Sequence, residues 1–192
     1  MTKCHPIIFL PNEYEVYDFT KGYDPERMRH SPFGIGKYNE LRPGMYTGEL
    51  FEKEQRNIHM GIDIAAPIGT AIYAFAQGSI VHQGYNPEPF DYGHVIVTEH
   101  LWNDGYIWAL WGHLSKQSLQ LHHIGQTFQK GDCIGFIGAQ TENGGWNPHL
   151  HFQLCRFRPT THDLPGVVSK EQHDWALQVF PDPQIILGRL YS

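Results

Sequence analysis

From residue 69 the chain reads Gly69-Thr70-Ala71-Ile72-Tyr73-Ala74-Phe75-Ala76-Gln77-Gly78-Ser79-Ile80-Val81-His82-Gln83. β-Branched and aromatic residues stand here in short runs between glycines, a composition that suits strands joined by tight turns. The same texture returns at 95–100, 106–111, 133–137 and 150–154. Many short strands at this spacing predict an all-β, mainly antiparallel sandwich or barrel with a few short helices. Working outward, residues 1–56 mix aromatics, proline, glycine and charge without a sustained period, as in Arg42-Pro43-Gly44. They read as an irregular N-terminal segment packed on a β core at 57–155. In the C-terminal extension, 156–192, Ser169 and Gln172 form a capping-box pattern ahead of Trp175, Ala176 and Val179, which predicts one short helix. A chain of 192 residues, 41% hydrophobic, has the size of one globular domain. There is also a faint internal echo. Gly69-Thr70-Ala71-Ile72 followed by Gly78-Ser79-Ile80 resembles Gly125-Gln126-Thr127-Phe128 followed by Gly131-Asp132-Cys133-Ile134.

Composition removes some classes of function. A formal net charge of −6 supplies no basic footprint for nucleic acid or an anionic membrane, so peptides and small molecules are the expected partners. The three cysteines, Cys4, Cys133 and Cys155, are odd in number, widely spaced and free of any Cys-x-x-Cys pair. Neither a disulfide framework nor a structural zinc knot is indicated. The N-terminal apolar run, Ile7-Ile8-Phe9-Leu10, is four residues between prolines, too short for a signal-peptide core, which makes a cytoplasmic location the expectation. No stretch approaches the roughly 20 apolar residues of a membrane helix. Oligomeric state leaves no sequence signal.

Thirteen histidines are too many to be functional together, and position has to choose among them. In Pro148-His149-Leu150-His151-Phe152 two imidazoles sit at i and i+2 of a strand-like run and face the same side. Both could ligate one metal, or one could ligate while the other reaches past it toward a substrate. In Ile58-His59-Met60-Gly61-Ile62-Asp63-Ile64 a histidine and a carboxylate stand four apart, with Gly61 and β-branched neighbours favouring extended backbone. Catalytic zinc takes three protein ligands and leaves a fourth position open; His59, Asp63 and His151 would fill that count. In Trp111-Gly112-His113-Leu114-Ser115 a third histidine follows an aromatic strand at a glycine break. Each pattern alone has a plain structural reading as a satisfied imidazole or a capping carboxylate.

Taken in order, His59-x-Gly-x-Asp63, Gly112-His113-Leu114-Ser115 and His149-x-His151-Phe152 resemble the lysostaphin/LytM-type zinc metallopeptidases, family 23 of the metallopeptidases. The likeness runs over about residues 57–155 and includes Ala66-Pro67-x-Gly69-Thr70, Asp91-Tyr92-Gly93, Gly125-Gln126 and Lys130-Gly131-Asp132. It implies an antiparallel β core described as a duplicated hybrid motif, which would account for the echo. It also implies one zinc ion on His59, Asp63 and His151, with His113 and His149 as catalytic histidines that do not ligate. The implied reaction is hydrolysis of peptide bonds in peptidoglycan cross-links or related muropeptides. Such peptidases are typically exported, so a cell-wall or periplasmic location is the alternative to the cytoplasm.

Other readings follow from the same residues. The tail, with Asp163-Leu164-Pro165-Gly166-Val167 and Pro181-Asp182-Pro183, looks like that of metallopeptidase-like domains fused to a kinase-like phosphotransferase and a class III aminotransferase. That would make the protein a cytoplasmic zinc hydrolase of a small amide or peptide. A zinc lyase or cupin-like oxygenase would want another ligand at other spacings. A binding module of the same fold would be expected to have lost a ligand or a catalytic histidine. Trp146 and Tyr92 are candidate groove residues on loops flanking the metal. His94, His122 and His123 read as structural, and His100 as the remaining histidine best placed to support a ligand from behind.

Overall fold

The computed structural model describes residues 4–24, 31–52, 54–103 and 105–192. Residues 1–3, 25–30 and 53 of the N-terminal segment therefore lie outside the described residues. The strands, in chain order, are β1 (Glu15–Val16), β2 (Gly34–Gly36), β3 (Glu40–Leu41), β4 (Ile58–His59), β5 (Ile62–Ala65), β6 (Ala71–Tyr73), β7 (Gly78–Asn86), β8 (Gly93–Trp102), β9 (Gly105–Leu114), β10 (Thr127–Phe128), β11 (Cys133–Phe136), β12 (His149–Cys155) and β13 (Val167–Val168). Among the described residues four short α-helices, α1 (Glu49–Glu52), α2 (Lys116–Gln120), α3 (His173–Val179) and α4 (Gln184–Leu187), lie between and after them, with a 3-10 turn at Phe19–Lys21. This is the mainly antiparallel β architecture that the glycine-punctuated runs predict.

Eight strands make one sheet in the order β1-β2-β5-β12-β9-β8-β7-β10, with β11-β6 and β13-β4-β3 as smaller sheets. Apart from the short parallel pair β1–β2, the described pairs are antiparallel. The period of two explains how the large sheet can be covered on both faces. Along β9, Ile107, Ala109 and Trp111 enter a core with Ile72, Phe75, Ile134 and Ile137 from the β6–β11 layer. Trp108 and Leu110 turn the other way, into a second core with Val168, Ala176, Val179 and Phe180. Strand β12 divides in the same manner. Leu150, Phe152 and Leu154 fill the first core, which leaves His149, His151 and Gln153 together on the opposite face.

The sequence echo has a spatial counterpart. β6 and β7 of the first copy pair crosswise with β11 and β10 of the second. Reciprocal backbone bonds join Ala74 to Asp132 and Gly131, and Ile80 to Gln126 and Gly125, at 2.8–2.9 Å. The N-terminal apolar run is also part of this layer. Tyr73 N–H donates to Ile7 O, and Ile7 and Ile8 are buried in the first core. Of the expected capping box, the backbone N–H of Ser169 donates to Gln172 Oε1, and α3 begins four residues after Ser169.

His100, expected to support a ligand from behind, lies in the core instead and contacts none of the candidate ligands in the described hydrogen bonds. It is fully buried against Phe75 and Phe128, with Nδ1 near Gln77 O at 3.2 Å and Nε2 near Thr98 Oγ1 at 2.8 Å. Trp111 Nε1 donates to the same hydroxyl. The polar atoms of a strand that crosses the core are thereby satisfied internally, and burial holds the imidazole neutral, down to about 4.

Candidate metal centre

His59 closes β4, and the chain bends at Met60-Gly61 into β5, which carries Asp63. β12 lies between β5 and β9, so His151 stands directly opposite Asp63 on one side and Gly112 on the other. Three donor atoms from distant parts of the chain then converge. His59 Nε2 is 3.1 Å from Asp63 Oδ1, His151 Nδ1 is 3.0 Å from the same oxygen, and the two nitrogens are 3.0 Å apart. A tetrahedral metal with bonds near 2.0 Å would separate its donors by roughly 3.3 Å, close to this triangle.

The protons of the two imidazoles are assigned by what lies behind each ring. His59 Nδ1 faces the carbonyl of Lys37 at 3.0 Å, and His151 Nε2 faces Gln153 Oε1 at 2.9 Å. Gln153 Nε2 donates to Pro165 O, which leaves its amide oxygen free to accept. Each imidazole spends its one N–H away from the triangle and presents a lone pair to it. Two lone pairs and a carboxylate oxygen pointing at one another repel unless a cation sits among them, so the donor set fits a divalent metal. Charge states agree. Burial, helped by the Arg42 charge, holds His59 down to about 4, and although burial works to raise Asp63, the Arg42 guanidinium beside it holds its carboxyl well below its usual range.

His113 and His149 stand beside this triangle without completing it. Their rings are 4.3 Å apart between centroids, and His149 Nε2 is 3.7 Å from Asp63 Oδ1. His113 Nδ1 faces Asn143 O at 2.8 Å and His149 Nδ1 faces Asn147 O at 2.7 Å, so loop carbonyls fix the same tautomer in both and leave each Nε2 unprotonated. Burial pushes both pKa values down. His113 reaches this position through an irregularity. Its φ is 62°, and the β8–β9 register slips so that Gly112 and His113 together oppose Val95. A bulge of this kind re-aims a side chain at a strand end, and left-handed backbone at a non-glycine residue costs of order 1–3 kcal/mol.

Glycine at position 61 has a steric reason. A Cβ there would lie 2.5 Å from His151 Cε1, 2.6 Å from its Nε2 and 3.0 Å from the carbonyl oxygen of Phe152. Gly61→Ala is therefore expected to displace the His151 ring and to weaken metal binding at least tenfold, measured by competition with a chromogenic chelator. Unchanged affinity would show that the ring can shift without losing its metal contact.

The site opens into a cavity of about 260 Å³ lined by Tyr46, Phe51, Phe90, Trp146, Arg56 and Asp163, among others. Both expected groove aromatics line it, but neither offers a free polar tip. Tyr92 OH donates to Leu164 O while its ring packs on His113 and His151, and Trp146 Nε1 donates to Phe90 O. On the other flank of Asp63 and His149, Tyr17, Phe19 and Met45 of the N-terminal segment pack with Ala65 and Trp146. The described residues of that segment wall this flank, and Tyr46, Phe51 and Arg56 of the same segment also line the cavity. Gln153 and Arg42 also touch the site residues, although neither belongs to the motifs. Gln153 was within reach, two residues after His151 on the same strand face, whereas nothing in the sequence ties Arg42 to Asp63.

Fold and site together define a β-sheet protein with a His-Asp-His cluster that could hold a metal ion, flanked by two further histidines. Residues 57–163, more than half of the chain, match Peptidase family M23, and the protein belongs to that family. Cell division protein DipM of Caulobacter vibrioides is 35% identical over 104 residues, 54% of this chain and 15% of that protein. DD-carboxypeptidase/endopeptidase Mpg of Neisseria meningitidis serogroup B is 32% identical over 123 residues, 64% of this chain and 23% of that protein. The chain thus spans less than a quarter of these relatives. The catalytic domain of the antimicrobial peptidase lysostaphin from Staphylococcus simulans shares the fold, with a TM-score of 0.53 at 21% identity over 86% of this chain and 98% of that one.

Proposed function

We propose that the protein is a zinc-dependent metalloendopeptidase that hydrolyses peptide bonds in peptidoglycan cross-links or related muropeptides. The observation that carries this reading is the convergence of two lone-pair nitrogens and one carboxylate oxygen within 3.0–3.1 Å of one another, beside two more histidines that are held neutral. His59, Asp63 and His151 would hold the metal. Zinc, when bound, acidifies water and polarises a carbonyl. His149 Nε2 and His113 Nε2, both free to accept, would take the proton of the attacking water, return it to the departing amine and, once protonated, donate to the developing oxyanion. The cavity beside them would seat the peptide against aromatic walls.

Family membership and the names of the relatives support the substrate. Besides the carboxypeptidase/endopeptidase, they include peptidoglycan DD-endopeptidase ShyC of Vibrio cholerae, 28% identical over 136 residues. They support the cell wall or periplasm over the cytoplasm as the working compartment, since one is the lipoprotein YgeR of Escherichia coli. We also propose that the N-terminal segment, the β core and the C-terminal extension fold as one domain, because β2 pairs with β5 and β13 with β4. The reading as a binding module is disfavoured by the presence and convergence of all five site residues.

The test is product analysis of purified sacculi and their soluble peptides after incubation with the zinc-loaded protein. New amino termini released by wild type and absent with His113→Ala would establish the activity and identify the bond. A protein that holds zinc yet releases none from either substrate would overturn the cell-wall reading in favour of a small amide or peptide.

A further inference from the structure

Arg42 lies outside the part of the chain that matches the family, and it is fully buried. Its guanidinium is spent on the metal triangle from behind. Nη1 donates to Asp63 Oδ2 at 2.7 Å and to the Tyr46 hydroxyl at 2.9 Å. Nη2 donates at 3.2 Å to the carbonyl of Lys37, the same oxygen that faces His59 Nδ1. Nε donates to Glu40 Oε2 at 3.1 Å, and the other oxygen of Glu40 meets Lys37 Nζ at 3.1 Å. One cation therefore touches the groups that orient two of the three metal donors.

The backbone is shaped around this contact. A Cβ at Gly36 would lie 2.8 Å from Arg42 Nη2 and 3.1 Å from Asp63 Oδ2. β2, which carries Gly36 directly across from Asp63, and β3, which pairs Glu40 with His59, bring the arginine in from the N-terminal segment. A buried charge is costly, and where only stability is at stake a packed apolar group serves as well or better. A planar fork that reaches a carboxylate, a carbonyl and a hydroxyl at once suits orientation.

We propose that Arg42 is a positioning residue of the metal centre. It holds Asp63 by Oδ2 so that Oδ1 alone faces His59 and His151, and it anchors the Lys37 carbonyl that sets the His59 tautomer. The N-terminal segment is thereby a working part of the site. This inference rests on the reading of His59, Asp63 and His151 as a zinc site.

The experiment measures zinc affinity by chelator competition, together with the melting temperature of each metal-free protein, for wild type, Arg42→Lys, Gly36→Ala and Glu40→Gln. Arg42→Lys keeps the charge and loses the fork; Gly36→Ala keeps every charged group and displaces the contact. Both are expected to bind zinc roughly 10–100-fold more weakly, the usual loss when an outer partner of a ligand is removed. Glu40→Gln, which touches the arginine and not Asp63, is expected to lower the metal-free melting temperature while its zinc affinity stays within about threefold of wild type. Should Arg42→Lys fail to fold, Gly36→Ala carries the test alone. Folded Arg42→Lys and Gly36→Ala that bind zinc like wild type would overturn the positioning role and leave the zinc reading intact, as would zinc losses in all three variants that merely follow their melting temperatures. A wild-type protein that does not bind zinc would overturn the zinc reading itself.

Discussion

Asp63→Ala protein is expected to bind no stoichiometric zinc, to have no hydrolytic activity, and to melt below wild type even when both are metal-free. The first two losses follow from its place in the triangle, where Oδ1 is the shared neighbour of both nitrogens at 3.0 and 3.1 Å. The third follows from Oδ2, which accepts from Arg42 at 2.7 Å. Removing the carboxylate leaves a fully buried guanidinium with Glu40 as its one remaining charged partner among the described residues. Breaking a buried pair from one side costs about 3–5 kcal/mol. Metal analysis and thermal melts in chelator would check both halves. An Asp63→Ala variant that retains stoichiometric zinc would remove this residue from the metal site, and one that loses zinc but melts like wild type in chelator would show that Arg42 finds another partner at little cost.

His113→Ala is expected to separate chemistry from metal binding. The ring lies 6.2 Å from His151 between centroids, belongs to no close donor contact with His59 or Asp63, and is held by Asn143 O on a bulged, left-handed residue. Its zinc affinity should stay within a few-fold of wild type while kcat falls roughly 10²–10⁴-fold, the usual range for a lost general acid or base. Alanine removes a side chain that burial keeps neutral, so no buried charge is stranded. Metal content and turnover on released muropeptides, measured in one preparation, decide the matter. Zinc loss equal to that of Asp63→Ala would mean that His113 is a ligand, and the division of roles between the histidines would fail.

The contrast between these two residues marks where local pattern ends. The alternation His149-Leu150-His151-Phe152-Gln153-Leu154 already separates a core face from a polar face, because a strand has no other way to arrange it. In the same way, short glycine-bounded runs of β-branched and aromatic residues favour a many-stranded β protein. The spacing of His59 and Asp63 keeps both within one short segment, and a bend at Met60-Gly61 between β4 and β5 turns them toward each other. These features are set within a few residues of one another, and local geometry suffices to read them.

Other features depend on groups far apart in the chain. Gly112-His113 alone reads as an ordinary strand-end histidine and only the resemblance assigns it a role; the bulge in the β8–β9 register is what turns it to the site. His100, one strand away, had the same apparent promise and lies in the core on Thr98 instead. Residues 1–56 have no period to read, since the strands among their described residues are two or three residues long and take their shape from the partners they join. Arg42 could not have been found from sequence, because its role consists of contacts to Glu40, Lys37 and Asp63 that exist only once β2 lies on β5 and β3 on β4. By itself the sequence determined the β class and the family resemblance, both carried by short-range pattern, and through that resemblance it named the five residues of the candidate site. The tertiary structure alone decided which nitrogen of each histidine faces the site, which flank is walled, and which buried cation stands behind the carboxylate, since those follow from packing between segments that the chain order keeps apart.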